Sequence, residues 1–582
     1  MSDRPAPPDL AAGLLQILRE LITTVGDGRG LGNLGLDASL ERELGLGSLE
    51  RVELLGRVEA RFGLRLPEEA ISVVDTPRQL LHLIEAGLAA RGDAPVATDM
   101  SQSTGPKSQA RGLPDDEPGP PPIHAGTLVE VLEFHAQRHP DRVHIMLLAE
   151  DGSEDPITYG ELRREAGAVA AALRGLGLPP AGTVAIMLPT GRGYFAAFLG
   201  AMLAGGVPVP LYPPFRLDRI AEYIAREAKI LGNAGTSVLL TFDRAARVAD
   251  IVRDHVPAVK HVIALEDILR DPPPLSSVSA ALRPEDTALL QYTSGSTGDP
   301  KGVELTHANV LANIRAAAAG CELHSRDVMV SWLPLYHDMG LVGCCLTPVM
   351  SQVTVDYLPT TAFARRPLLW LKLLSELGGT ISFGPTFGYE LCTRRAQSGL
   401  PDALDLSRWR VAGIGGEMIR GNVLAEFAQR FAAVGFDAKA FLPSYGLAEA
   451  TLFISSGKQQ EAAPRTLLLD ASTLEDNSVL LVPETEVSPR AVRLVSNGRT
   501  GAGHEVLIVD PETKEPCPAL RIGEIWFRGP SVAAGYWGKE QETQECFAAR
   551  AAGGTSPFLR TGDLGFLFEG ELYVTGRLKD LI

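Results

Sequence analysis

Cysteine is scarce in this 582-residue chain. The six present (Cys321, Cys344, Cys345, Cys392, Cys517 and Cys546) show no paired metal-ligand spacing and no secreted disulfide framework. Reduced structural thiols are therefore expected. Positive charge is also in deficit: 54 Lys and Arg face 71 Asp and Glu, a formal net charge of −17. That argues against a nucleic-acid or anionic-membrane surface and fits a cytoplasmic enzyme. The N-terminus, Met1-Ser-Asp-Arg-Pro5, lacks a basic region followed by an apolar one, so no signal peptide is expected. There is no long hydrophobic run either. The most apolar window, Tyr194–Pro214, is broken by Gly205-Gly206 and several prolines and reads as a helix and a short buried strand rather than a membrane span. What is present, 45% apolar and 21% charged residues, is the composition of a soluble globular protein with several domains.

Residues 1–91 read as a separate all-helical unit. Leu10, Leu14, Ile17, Leu18, Leu21 and Val25 recur at helical spacing, and so do Leu49, Val52, Leu55, Val58 and Phe62 after Ser48. Pro67–Val74 is expected to add a short helix, and Thr76-Pro77, a cap followed by proline at the first helical position, opens a last one running to about Arg91. Ser48 stands where an N-cap belongs, a structural role worth about 1 kcal/mol. Residues 92–122 are rich in Gly, Pro, Ser and Thr, with hardly any large apolar side chain, and form a linker. A flexible linker of that length spans roughly 30 Å and gives an effective concentration in the millimolar range.

From residue 123 to 575 helices and strands alternate, the pattern of an α/β domain whose largely parallel sheet gathers ligands at the C-terminal ends of its strands. Thr158-Tyr-Gly-Glu161 is a capping box. The stretch Gln291-Tyr-Thr-Ser-Gly-Ser-Thr-Gly-Asp-Pro-Lys-Gly-Val303 follows a buried strand and precedes a helix near Thr306. A loop of this kind suits a triphosphate: glycines bring backbone N–H groups close, Thr293, Ser294, Ser296 and Thr297 add hydroxyls, and Lys301 supplies a point charge. The ordinary alternative is a surface loop. A Walker loop is disfavoured, because Lys301 is followed by Gly302 rather than Ser or Thr.

Further motifs follow in order: Leu333-Pro-Leu-Tyr-His-Asp-Met-Gly-Leu341, Val411-Ala-Gly-Ile-Gly-Gly-Glu417, Phe441-Leu-Pro-Ser-Tyr-Gly-Leu-Ala-Glu-Ala-Thr451, Arg560-Thr-Gly-Asp-Leu-Gly565 and Gly576-Arg-Leu-Lys-Asp-Leu-Ile582. Together with the loop they resemble the adenylate-forming superfamily, and the resemblance covers roughly residues 126–582. It implies two α/β subdomains, a smaller β-rich subdomain from about residue 490, and a hinge at 576–582. It also implies ATP and magnesium. Lys301, Ser294, Gly295, Ser296, Thr297 and Gly298 would face the phosphates, and His337 the acyl carboxylate. Gly415, Gly416, Glu417, Tyr445 and Gly446 would surround adenine, Glu449 would hold magnesium, and Asp563 and Arg577 would take the ribose. The Phe-Asp-x-Ser pattern of amino-acid-activating relatives is missing, which argues against an α-amino-acid substrate, although Asp338 is a possible mimic.

Leu44-Gly45-Leu46-Gly47-Ser48-Leu49 is similar to the attachment signature of acyl carrier proteins. The resemblance implies a 4'-phosphopantetheine arm on Ser48, with Gly47 departing from the family's Asp. The wording of the His337 and Tyr445 motifs, Leu494-Val-Ser-Asn-Gly498 and the polar segment Gly457–Pro489 resemble fatty acyl-AMP ligases. The implied partners are a fatty acid, an acyl carrier protein in cis or in trans, and a phosphopantetheinyl transferase, in polyketide, nonribosomal peptide or lipid biosynthesis. A fatty acyl-CoA ligase-like enzyme and a non-catalytic carrier scaffold are the alternatives. Leu341–Leu346 and Ile381–Phe387 are the candidate walls of an acyl tunnel. The C-terminal lid that family members carry is expected to be absent after Ile582, and slow adenylation is the expected consequence.

Overall fold

The computed structural model describes residues 10–25, 34–40, 43–44, 54–55, 57–58, 61–62, 74, 76–90, 119, 121–149, 152–214, 220–273, 280–293, 299–397, 399–457, 462–474, 476–483 and 491–578. The chain divides into two compact units. One is built from residues 1–107 with the short segments 214–224 and 364–366, and the other from the remainder.

In the first unit the helices Leu10–Val25 and Pro77–Ala90 bury their apolar stripes. Leu14, Leu18 and Leu21 lie one above the other, fully buried with Leu54, Val58, Leu80 and Ile84 around them. Phe62 packs against Gly13, where a Cβ would meet its ring at 3.2 Å. Thr76 caps the last helix as its sequence requires. Its hydroxyl accepts the Gln79 N–H, and the Gln79 side chain accepts the Thr76 N–H at 3.2 Å. Arg78 forks onto Asp37 at 2.6 and 2.7 Å and holds that carboxyl below its usual range. Ser48, Gly47 and the expected short helix Pro67–Val74, apart from the buried Val74, lie outside the described residues.

The second unit contains two sheets with parallel cores. A nine-stranded sheet places Phe441–Gly446, Val411–Ile414, Ile381–Gly384, Val328–Ser331, Thr354–Tyr357 and Val143–Leu148 side by side in parallel, with antiparallel strands at both edges. Val207–Pro210, Thr183–Ile186, Val238–Thr241 and His261–Ala264 form an all-parallel sheet. Burial of the first three on both faces explains why they read as continuous apolar runs. Both capping sites form. Thr158 with Glu161 opens Tyr159–Gly175, and Thr306 with Asn309 opens His307–Gly320. A four-stranded antiparallel sheet of Glu505–Val509, Gly523–Arg528, Leu559–Phe568 and Glu571–Arg577 supplies the β-rich part.

One expectation is corrected. The strand ahead of the phosphate-loop motif belongs to neither parallel sheet, and Lys301 does not sit in the loop. Thr287–Thr293 turns back into a second strand, Lys301–Thr306, with Thr293 opposite Lys301 and Tyr292 opposite Gly302, and Gly535–Tyr536 is the third strand of this small antiparallel sheet. The alternation Val303, Leu305 inward and Glu304 outward is the period-2 pattern that the loop composition hides. The polar segment around 457–489 is likewise not all loop. Thr466–Asp470 pairs antiparallel with Ala491–Val495. Among the described residues no helix is long and apolar enough to cross a membrane, and all six cysteines are free thiols.

Candidate active site

A cavity of about 860 Å³ lies where the motifs converge, beyond the C-terminal ends of Val328–Ser331, Val411–Ile414 and Phe441–Gly446. It is lined by Thr293, Lys301, His337, Gly415, Gly416, Tyr445, Gly446, Glu449, Asp563 and Arg577. Residues separated by 284 positions or fewer in the sequence thus meet in one pocket, as ligands do at the switch points of parallel sheets. Ser294, Gly295, Ser296, Thr297 and Gly298 lie outside the described residues. Glu417 is not among the lining residues. Its Oε1 accepts the Phe387 N–H at 2.7 Å, capping the first turn of Thr386–Ala396.

At one end stands Asp563. Strand register sets it opposite Arg577, whose Nε lies 3.6 Å from its Oδ1. The Tyr445 hydroxyl donates to its Oδ2 at 2.7 Å, and burial keeps that phenol neutral. Behind it, Glu524 is almost fully buried and accepts hydrogen bonds from Trp526 Nε1, Arg560 Nε and the Gly562 N–H, at 2.9, 2.9 and 3.2 Å. These bonds fix the turn that carries Asp563. Two glycines make close approach possible. Gly416 has a φ of 79°, and a Cβ on Gly446 would fall 1.6 Å from the Leu452 carbonyl oxygen, so only glycine fits at the irregularity in register between Tyr445 and Gly446.

At the other end Lys301 reaches in from the hairpin. Its Nζ lies 4.7 Å from the centre of the Tyr536 ring and 2.6 Å from Glu542 Oε2. The Tyr536 hydroxyl donates to Glu449 Oε1 at 2.9 Å. Burial holds the Glu449 carboxyl above its usual pKa, and the carboxylates of Asp338 and Asp563 push the same way. Next to it, His337 Nδ1 lies 2.7 Å from Asp338 Oδ1, and Asp338 raises the pKa of the imidazole. The cavity extends into an apolar part lined by Ala317, Cys321, Leu323, Met329, Phe383 and Phe453. Of the expected tunnel walls, Gly343 and Phe383 line it. Its remaining lining comes from the end of His307–Gly320, the segment and strand after it, and Phe453 of the strand Phe453–Ser456, which core-like periodicity does not distinguish from ordinary packing.

Tyr536, Glu542 and Glu524 are functional candidates that sequence reasoning missed. Gly535-Tyr-Trp-Gly538 is the one local signal for the first, a pair of positive-φ glycines around aromatic residues. Glu542 sits in a run of acidic and amide residues that reads as a solvated helix face.

The arrangement fits an Mg²⁺–nucleotide. Glu449 is a half-buried carboxylate crowded by like charges, a setting that a divalent cation relieves. Among the described residues no group of three or more His, Cys, Asp or Glu converges on a metal.

Residues 132–537 match the AMP-binding enzyme family, and residues 14–84 match the phosphopantetheine attachment site family. The chain is 36% identical to a medium-chain-fatty-acid–[acyl-carrier-protein] ligase of Moorena producens, covering 78% of this chain and 77% of that protein. It is 37% identical to the 4-hydroxyphenylalkanoate adenylyltransferase of Mycobacterium marinum, covering 78% and 74%. The solved fatty acyl-adenylate ligase of L. pneumophila, in complex with acyl adenylate and pyrophosphate, superposes with a TM-score of 0.71 at 35% identity over 79% of this chain and 78% of that one. The chain belongs to the AMP-binding enzyme family and carries a phosphopantetheine attachment domain ahead of its adenylate-forming part.

Proposed function

We propose that this protein activates a fatty acid as its acyl-adenylate and passes the acyl group to a phosphopantetheine thiol, its own on Ser48 or that of a separate carrier. The observation that carries this reading is the single cavity in which Lys301, Glu449, Tyr445 and Asp563 share walls with an apolar extension. A carboxylate oxygen of the acid attacks the α-phosphorus of ATP, the bond to the bridging oxygen breaks, and pyrophosphate leaves. The thiol then attacks the acyl carbonyl, the mixed-anhydride C–O bond breaks, and AMP leaves with a thioester formed.

Catalysis of the first step is mostly positioning and charge neutralisation. Asp563 accepts both ribose hydroxyls, Tyr445 packs on adenine beside Gly415 and Gly416, and Lys301 meets the phosphates together with the hydroxyl of Thr293. Glu449 would hold magnesium, which neutralises the triphosphate when bound. His337, kept cationic to higher pH by Asp338, sits where it can orient the acyl carboxylate. Each methylene buried in the apolar extension contributes about 0.8 kcal/mol, which favours long aliphatic acids over short ones. Modification of Ser48 would require a phosphopantetheinyl transferase, and cytoplasmic residence fits the acidic composition.

The test uses the protein after pantetheinylation, supplied with ATP, magnesium and a series of saturated, hydroxylated and aryl-terminated acids. Acyl-AMP by chromatography and an acyl mass increment on the intact protein are the expected results for an aliphatic acid. Thioester formed on free CoA in place of the carrier, or adenylate formed only with aryl acids, would overturn the reading.

A further inference from the structure

Lys301 is not waiting with an open hand. Its ammonium, only 14% exposed, makes a 2.6 Å ion pair with Glu542 at the start of the Glu540–Phe547 helix, inside the cavity. The other Glu542 oxygen lies 3.3 Å from Lys539 Nζ. The carboxylate therefore sits between two ammonium groups, as a phosphate would, and they hold its pKa below the usual carboxylate value, Lys301 most strongly. The Tyr536 ring supports Lys301 from one side, 4.7 Å away, so the lysine has little room to serve a second anion without releasing the first.

We propose that Glu542 is an internal stand-in for the β/γ-phosphates of the nucleotide, and that ATP binding exchanges Lys301 from Glu542 to the triphosphate. The proposal rests on the assignment of Lys301 to the phosphates. Lys539, three residues before Glu542 on its own segment, keeps a partner for the carboxylate once Lys301 has left, so the released charge is not stranded. The exchange makes the site selective. A nucleotide with a polyphosphate can displace the carboxylate, whereas AMP leaves the ion pair intact and gains nothing from Lys301. It also explains why a site meant for a highly charged anion carries acidic residues on its phosphate side. Their negative charge weakens the capture of small anions, which lack the several contacts needed to compete.

The experiment measures equilibrium affinity for Mg–ATP and for AMP by competition with a fluorescent nucleotide, in the full chain and in Glu542→Gln, Glu545→Gln, Lys301→Ala and Lys301→Ala/Glu542→Gln. Glu545 lines the same cavity and hydrogen-bonds Gln541 rather than Lys301, so its substitution reports the effect of removing one negative charge. Glu542→Gln should tighten ATP about fivefold, leave AMP unchanged, and lose its effect in the Lys301→Ala background. Weaker or unchanged ATP affinity in Glu542→Gln would overturn the proposal, as would an equal gain in Glu545→Gln or for AMP. Should Lys301→Ala itself leave ATP affinity untouched, the assignment of Lys301 falls first and the stand-in with it. Weakened ATP binding in Lys301→Ala with no response to Glu542→Gln removes the stand-in alone.

Discussion

The Asp563 end and the Lys301 end of the cavity use similar parts in different ways. Each has a charged side chain beside a tyrosine. Asp563 is held by donors, the Tyr445 hydroxyl at 2.7 Å and the Arg577 guanidinium at 3.6 Å, on a turn that Glu524 fixes from behind. A ribose diol adds donors of the same kind, so that end is preorganised and can accept its ligand with little rearrangement. Lys301 is held by an acceptor, Glu542, of the same charge as the group it is proposed to bind. That end has to exchange partners. The difference separates recognition of the nucleoside, common to ATP and AMP, from recognition of the polyphosphate that distinguishes substrate from product.

The sharpest way to break this comparison is to remove one charge at each end. Asp563→Asn and Lys301→Ala should each lower kcat/KM for ATP in adenylate formation by about 100-fold. Asp563→Asn should weaken AMP along with ATP, and Lys301→Ala should spare AMP. Melting temperatures should stay close to the parent, since both groups face the cavity rather than the core. A Lys301→Ala protein that loses AMP as well would show that the two ends act as one unit.

A smaller effect comes from acid, and part of it falls on the scaffold. His135, His144 and His307 are buried, and burial lowers their pKa values from 6.5 to about 4, about 3 and about 4. His307 Nδ1 accepts the Leu128 N–H at 3.2 Å, and the His135 and His144 rings stack on the two sides of Tyr159. All three arrangements suit neutral imidazole. A depressed histidine pKa means that the unfolded chain binds the proton more readily. Stability is therefore full above pH 6.5 and falls as the pH drops from 6.5 towards the folded values. By pH 5 each histidine removes about 1–2 kcal/mol. Glu542, whose pKa is lowered by Lys301, keeps its charge over that window. Thermal melts of the parent and of His307→Asn between pH 7 and 5 check this. The parent should lose melting temperature steadily and the variant less. Equal slopes would place the acid response elsewhere.

Much of this site was legible because its motifs are contiguous. Tyr445, Gly446 and Glu449 fall within five positions, and Asp563 follows a Thr-Gly turn whose function the spacing carries. The strands Val143–Leu148 and Thr183–Ile186 could be read from largely apolar runs, and the helices at Tyr159 and His307 from their capping threonines. The hairpin behind Lys301 was hidden because Gly, Ser and Pro dominate the motif, and composition alone reads such a stretch as loop throughout. Glu542 was hidden for another reason. Its partner is 241 positions away, and a glutamate on a polar helix looks the same in sequence whether it faces solvent or a lysine. The apolar extension has no motif, because its walls are ordinary core residues, such as Met329, that happen to border a space.

The finest test of the comparison concerns Tyr536, which touches both groups at the Lys301 end. Its ring supports the ammonium and its hydroxyl donates to Glu449. Tyr536→Phe keeps the ring and removes the donor. Glu449 then loses the hydrogen bond that stabilises its ionised form in a half-buried setting, and the magnesium concentration for half-maximal adenylate formation should rise about threefold. ATP affinity at saturating magnesium should hardly move. Tyr536→Leu removes the ring as well, frees Lys301 to shift, and should add a loss of ATP affinity of similar size. If the two variants behave alike, the ring contributes nothing to holding the lysine, and the ion pair with Glu542 alone sets where Lys301 rests before ATP arrives.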